Sequence, residues 1–195
     1  MDIIINKNYA GIKKVDGHYE FTGDILCDGN IKIELDLWLL VTGSIKAGGS
    51  IRSGEYIEVT GFIEAGGFIK VTGSIRTGGF IRAGELIEAG GSIEVGGFID
   101  AGGSIESGES YGISAGQSIT AKLNISCGQK IFAGICVGQT VADIDKTITC
   151  AKLESGTVEY GILREIGVAE KKKVTLELTD KQLDKIQKIL TESEG

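Results

Sequence analysis

Isoleucine recurs every six residues without a break at positions 45, 51, 57, 63, 69, 75, 81, 87, 93, 99 and 105. The spacing resumes at Ile113, Ile119, Ile125, Ile131 and Val137, and it precedes the block at Ile25, Ile31 and Leu37, with two-residue insertions at 37–45 and 105–113. Each hexad reads Ile, charged, small, Gly or Thr, Gly or Glu, then Ser or a larger apolar residue. A helix cannot carry this pattern. Its 3.6-residue turn drifts against a period of six, and two glycines per hexad would each cost about 1 kcal/mol. Short strands joined by glycine corners can carry it. In a strand, residues two apart share a face, so Ile and the small residue two later point inward and the charged residue between them faces solvent.

Columns built from every third hexad are chemically uniform. One small-residue column is Ala47, Ala65, Ala83 and Ala101, and another is Val59, Thr77 and Val95. Columns built from every second hexad mix Ala, Val and Ser, so three hexads per coil are predicted. The outward charges fit three sides as well: Lys46, Glu64, Arg82 and Asp100 alternate in sign along one face, and Glu58, Arg76 and Glu94 along another. Exposed stacked pairs contribute only about 0.2 to 1 kcal/mol each, so they select register more than they stabilise. The prediction is an all-β, three-sided parallel β-helix over 25–153, of six or seven coils and roughly 30 Å at about 4.8 Å per coil. Each end of such a rod exposes unpaired backbone and apolar side chains, which calls for a cap or for end-to-end stacking.

The flanks read differently. Residues 1–24 carry Ile3 to Ile5 and turn signals at Asn6 to Asn8 and Asp16-Gly17, and are expected to be short strands capping the first coil. Within 154–195 the hexad is lost from Thr157. There Val174 to Leu178 alternate as a strand. Thr179 and Gln182 then match a capping box ahead of an amphipathic helix over about 180–192, with Leu183, Ile186, Ile189 and Leu190 on one face. This strand and helix are read as a cap or an arm.

Composition narrows the function classes. The 195 residues include 31 Gly and no Pro, and the formal net charge is -7. Proline would remove an N–H from the backbone ladder at almost any position of a coil, so its absence fits continuous pairing. No apolar run reaches the length of a membrane span and the N-terminus lacks a basic leader, so a cytoplasmic location is expected. Four cysteines are too few for a disulfide scaffold.

The run Val71-Thr72-Gly73-Ser74-Ile75-Arg76-Thr77-Gly78-Gly79-Phe80-Ile81 resembles the repeats of bactofilins, polymer-forming bacterial cytoskeletal proteins built as triangular right-handed β-helices. The resemblance covers roughly 25–150 and implies a self-associating structural scaffold. Bactofilin cores usually carry short polar tails, from which segment 157–195 departs. Hexapeptide acyltransferases, which are left-handed β-helices, place their small inward residue two before the aliphatic one. Here it comes two after, which favours the right-handed form.

Candidate chemistry is sparse. His18 is the only histidine and lies outside the array, so neither acyltransferase chemistry nor a Ser-His or Cys-His nucleophile is expected. Cys27, Cys127 and Cys150 fall two residues after an Ile, in the small inward slot, and read as core fillers, whereas Cys136 is expected to be exposed. No CxxC spacing suggests zinc, and the Gly-Gly pairs do not open a helix as a phosphate loop would. No metal and no cofactor is expected. The basic run Lys171 to Lys173 reads as a solvated linker; nucleic-acid binding is opposed by the acidic remainder, and DNA mimicry by the alternating signs of the faces.

The residues that precede each Ile are the candidates for an interface. Phe62, Phe80 and Phe98 follow Ser44 in one column, Phe68 and Leu86 lie in the next, and Tyr56 in the third. Burial of three phenylalanines contributes about 5 to 9 kcal/mol, against about 4 to 15 kcal/mol lost on association. Cover by the chain's own helix is the alternative to cover by a second subunit. The sequence therefore predicts a non-enzymatic scaffold whose partner is itself, with no membrane. The alternative is a discrete inhibitor that binds one protein partner, such as a phage-encoded protein acting on a host defence or regulatory protein.

Overall fold

A computed structural model describes residues 1–135 and 145–167. It shows a parallel β-solenoid of about eight turns with about 18 residues per coil. Three strands per coil build three faces. The first stacks Ile25–Cys27, Ile45–Ala47, Ile63–Ala65, Ile81–Ala83, Ile99–Ala101, Ile119–Ala121, Thr147–Cys150 and Ile162–Glu165. The second runs from Ile3–Asn6 and Ile31–Glu34 through Ile51–Ser53, Ile69–Val71, Ile87–Ala89 and Ile105–Ser107. The third runs from His18–Phe21 and Leu39–Val41 through Ile57–Val59, Ile75–Thr77, Ile93–Val95 and Ile113–Ala115. The long strand Asn124–Ala133 bends from the second face into the third, pairing with Ile105 at one end and Ile113 at the other.

The register follows the inward columns. Ile63 stands between Ile45 and Ile81, and Ala65 between Ala47 and Ala83. Every Ile of the unbroken block from 45 to 105 is fully buried. Thr77, the polar member of its column, donates through Oγ1 to the Gly61 carbonyl oxygen, which also accepts from Gly79 N at 2.8 Å.

Two details differ from the sequence reading, and the role of the corner glycines adds a third. The first insertion precedes Leu39 and does not follow Leu37: Leu39 is buried in register with Ile57, and Leu37 packs only at the margin. The corner glycines do not use the left-handed backbone, since none within 29–128 has positive φ. They are needed because successive coils touch. A Cβ on Gly84 would collide with the carbonyl oxygen of Gly66 one coil below, while Gly84 N bonds to Ala65 O at 3.0 Å. Finally, the parallel stack extends on both sides of 25–153. Ile3–Asn6 pairs with Ile31–Glu34, Lys152–Tyr160 with Asn124–Ala133, and Ile162–Glu165 with Thr147–Cys150.

The two ends are unlike. At the N-terminal end the hairpin Ile12–Val15/His18–Phe21 is antiparallel, and Tyr9, Ile12 and Phe21 pack on the core, leaving Ile25 and Ile5 buried. At the other end Leu163 continues the inward column above Ile148, yet it is 38% exposed, with Ile166 at 66%. The expected strand at 174–178, the helix at 180–192, Val137, Cys136 and Lys171 to Lys173 lie outside the described residues. No helix among the described residues is long and apolar enough to cross a membrane.

Candidate interaction surface

The parallel ladder fixes the outside of the rod as firmly as the inside. A residue just before an inward Ile sits on a corner, and its equivalent one coil on lies one strand spacing away, about 4.8 Å. Phe62 and Phe80 accordingly stack with ring centroids 4.8 Å apart and planes within 1°, and Phe80 and Phe98 with centroids 4.9 Å apart and planes within 3°. The stack ends in serines. Ser44 lies below, its Oγ accepting from Phe62 N at 3.2 Å, and Ser118 lies above, its carbonyl accepting from Ile99 N. All three rings are half-buried.

Beside this ladder runs the outward row of the first face. Lys46 Nζ is 2.8 Å from Glu64 Oε1, and Arg82 Nε is 3.5 Å from Asp100 Oδ2. The Arg82 guanidinium also lies 5.4 Å from the Phe80 centroid and 5.3 Å from that of Phe98, a cation–π contact that ties the charged row to the aromatic one.

The six candidate residues do not form one patch. Phe62, Phe80 and Phe98 share the corner leading into the first face. Phe68 and Leu86 occupy the corner leading into the second, where the Arg52 guanidinium covers Phe68 at 4.4 Å. Tyr56 lies at the third corner against Trp38, 5.4 Å between centroids, and donates its hydroxyl to Glu58 at 2.7 Å. Burial and this carboxylate push the Tyr56 phenol well above its ordinary range.

Sequence reasoning missed two features. Trp38 is stacked on His18 at 4.3 Å, so the lone histidine is half-buried against an indole, with Glu20 3.2 Å from its Nε2. And the outward row of the second face changes sign once along its length, Lys32, Arg52 and Lys70 being followed by Glu88 and Glu106. Reading the charged position of every third hexad from Lys32, across the first insertion, would have revealed that row.

Cys127 and Cys150 are buried, and burial raises both thiols above their usual range, Glu165 adding to the effect at Cys150. Cys27 is half-buried, its thiol donating to Met1 O at 3.0 Å. Among the described residues no group of three or more His, Cys, Asp or Glu is placed to hold a metal ion. Comparison of the chain with protein families, with curated proteins and with solved structures gives no match.

Proposed function

We propose that this chain is a non-enzymatic structural scaffold that associates with itself, as its resemblance to bactofilins implies. The observation that carries the reading is the Phe62–Phe80–Phe98 ladder, its rings stacked with parallel planes on the outside of a single uninterrupted core. A rod of this kind is stiff, because every coil is hydrogen-bonded to the next through strands and corners alike. Its surface groups recur by translation and do not converge, which suits a repeating contact better than a pocket for a small substrate. Chemical cross-linking of the full chain at rising concentration tests the reading. Bands at multiples of 20.5 kDa are expected; one monomer band at every concentration would overturn it.

The closed N-terminal end favours a second reading. The hairpin and the packing of Tyr9, Ile12 and Phe21 oppose extension of the rod from that end, which suits a discrete protein that binds one partner, the inhibitor alternative. In that case the chain stays monomeric alone and forms a one-to-one complex with a protein of a different sequence.

A further inference from the structure

We propose that the first face is a self-complementary surface on which a second copy of this chain docks with its rod reversed. The proposal rests on the self-association reading and assigns that reading a face and an orientation. Read along the rod, the outward side chains of four consecutive coils are Lys46, Glu64, Arg82 and Asp100, in direct register. A reversed copy presents Asp100, Arg82, Glu64 and Lys46 against them, so each charge meets its opposite. The two-fold axis then lies in the contact plane, between the coils of Glu64 and Arg82, and the contact is isologous.

The same axis keeps equivalent corners on the same side. The Phe ladder of one copy therefore overlaps the ladder of the other, with Phe62 facing Phe80 twice and Phe98 facing Ser44. Parallel docking in register would set like charge on like. Sliding one rod by a single coil would restore three of the four charge contacts, but it would place the rings on the corner of Gly48, Gly66 and Gly84. Only reversal satisfies both rows at once.

The other faces fit less well. On the third, Glu58, Arg76 and Glu94 reversed about Arg76 oppose like with like, and a register shifted by one coil leaves only the Glu58 and Arg76 contact, made twice. The second row is also complementary on reversal, but its corner offers only Phe68, already covered by Arg52, and Leu86.

The charges of the first face are ready for such a contact. Lys46 with Glu64 and Arg82 with Asp100 are already paired within the chain, their side chains 26 to 54% exposed. A second copy joins the pairs into four-membered networks without stripping buried ions of water. Four coils span about 19 Å, which makes a small contact beside the roughly 800 Å² per partner of a standard interface. The pairing is therefore weak and concentration-dependent, and it closes at two copies.

Charge reversal in the full chain tests it. Arg82→Glu sets Glu64 against a carboxylate twice, by symmetry, and is expected to weaken dimerisation in sedimentation about tenfold or more. The double variant Glu64→Arg with Arg82→Glu reads positive, positive, negative, negative. It is again complementary on reversal, so dimerisation is expected to return even though the Arg82 contact with the rings stays lost. Mixing a Lys46→Cys chain with an Asp100→Cys chain is expected to give a 46–100 disulfide, located by peptide mass spectrometry, that neither chain gives with itself. If the unsubstituted chain dimerises and Arg82→Glu leaves the affinity unchanged, or if the double variant is as weak as the single, this face is excluded while the scaffold reading stands. If the unsubstituted chain never dimerises, both fall.

Discussion

Lys46 stands one coil below Glu64, its Nζ 2.8 Å from the Glu64 carboxylate, although three hexads of chain separate them. Glu58 is closer to Lys46 in the chain, two hexads away, yet it lies on another face, paired with Arg76 and Leu40. The three-sided coil therefore predicts that cysteines at 46 and 64 oxidise to an intramolecular disulfide, since Cα atoms of adjacent strands fall within the range a disulfide spans. Cysteines at 46 and 58 are not expected to cross-link. The reverse outcome would require a two-sided coil.

Glycine at the corners is predicted to matter by position. Gly84→Ala places a methyl against the Gly66 carbonyl and is expected to destabilise by about 1 to 3 kcal/mol. For a chain of this size that lowers Tm by about 2 to 4 °C per kcal/mol. Gly54 has open space where its Cβ would be and no positive φ, so Gly54→Ala should stay within about 0.5 kcal/mol of the parent. Thermal melts of the two variants side by side check this, and equal melting temperatures would contradict the close approach of the coils.

Much of this architecture is legible in the sequence because a solenoid repeats one local decision. The Ile column, the Ala47–Ala65–Ala83 column and the sign alternation of Lys46, Glu64, Arg82 and Asp100 each report the same three-hexad register, and the strands pair as that register requires. Legibility fails where the side chains stop repeating while the backbone does not. Ile3–Asn6 and Lys152–Tyr160 join the stack through main-chain hydrogen bonds, which carry no sequence signature. Leu153, Val158 and Leu163 follow one another at a spacing of five, with Gly156 and Gly161 between them in the left-handed backbone, so a count of six does not find them. The contact of Arg82 with Phe80 and Phe98 was equally hidden, because a two-residue spacing does not reveal that an arginine folds back over a ring.

Thr77→Val is predicted to be nearly neutral in thermal or urea unfolding, or slightly stabilising. The side chain is buried between Val59 and Val95, and the carbonyl that accepts its hydroxyl keeps the Gly79 N–H. Removing both the hydroxyl and the need for its partner leaves nothing unsatisfied. A loss of more than about 2 kcal/mol would mean that the hydroxyl holds the corner in place.

Acid should open the N-terminal end before the central coils. Hydrogen bonds from the backbone and side chain of Asn30 hold Asp2 below the ordinary value of 3.8, and the Tyr19 hydroxyl, 2.8 Å away, does the same for Asp36. A depressed carboxylate contributes stability that is present above the unfolded value and lost as pH falls through the folded one. The same Tyr19–Asp36 bond raises the Tyr19 phenol above 10.0, so its contribution is lost again as pH rises past 10. Hydrogen exchange at pH 3 should therefore show residues 1–36 opening while the coils of Ile63 and Ile81 stay protected. Uniform loss of protection would contradict a locally held end.

Sedimentation equilibrium of the unmodified 195-residue chain, from micromolar to near-millimolar concentration, tests the central claim most directly. The scaffold account predicts a weight-average mass that climbs above 20.5 kDa as concentration rises, and docking through the first face predicts that it falls back when salt screens the charge row. A mass fixed at 20.5 kDa over the whole range, at low salt as at high, would contradict it.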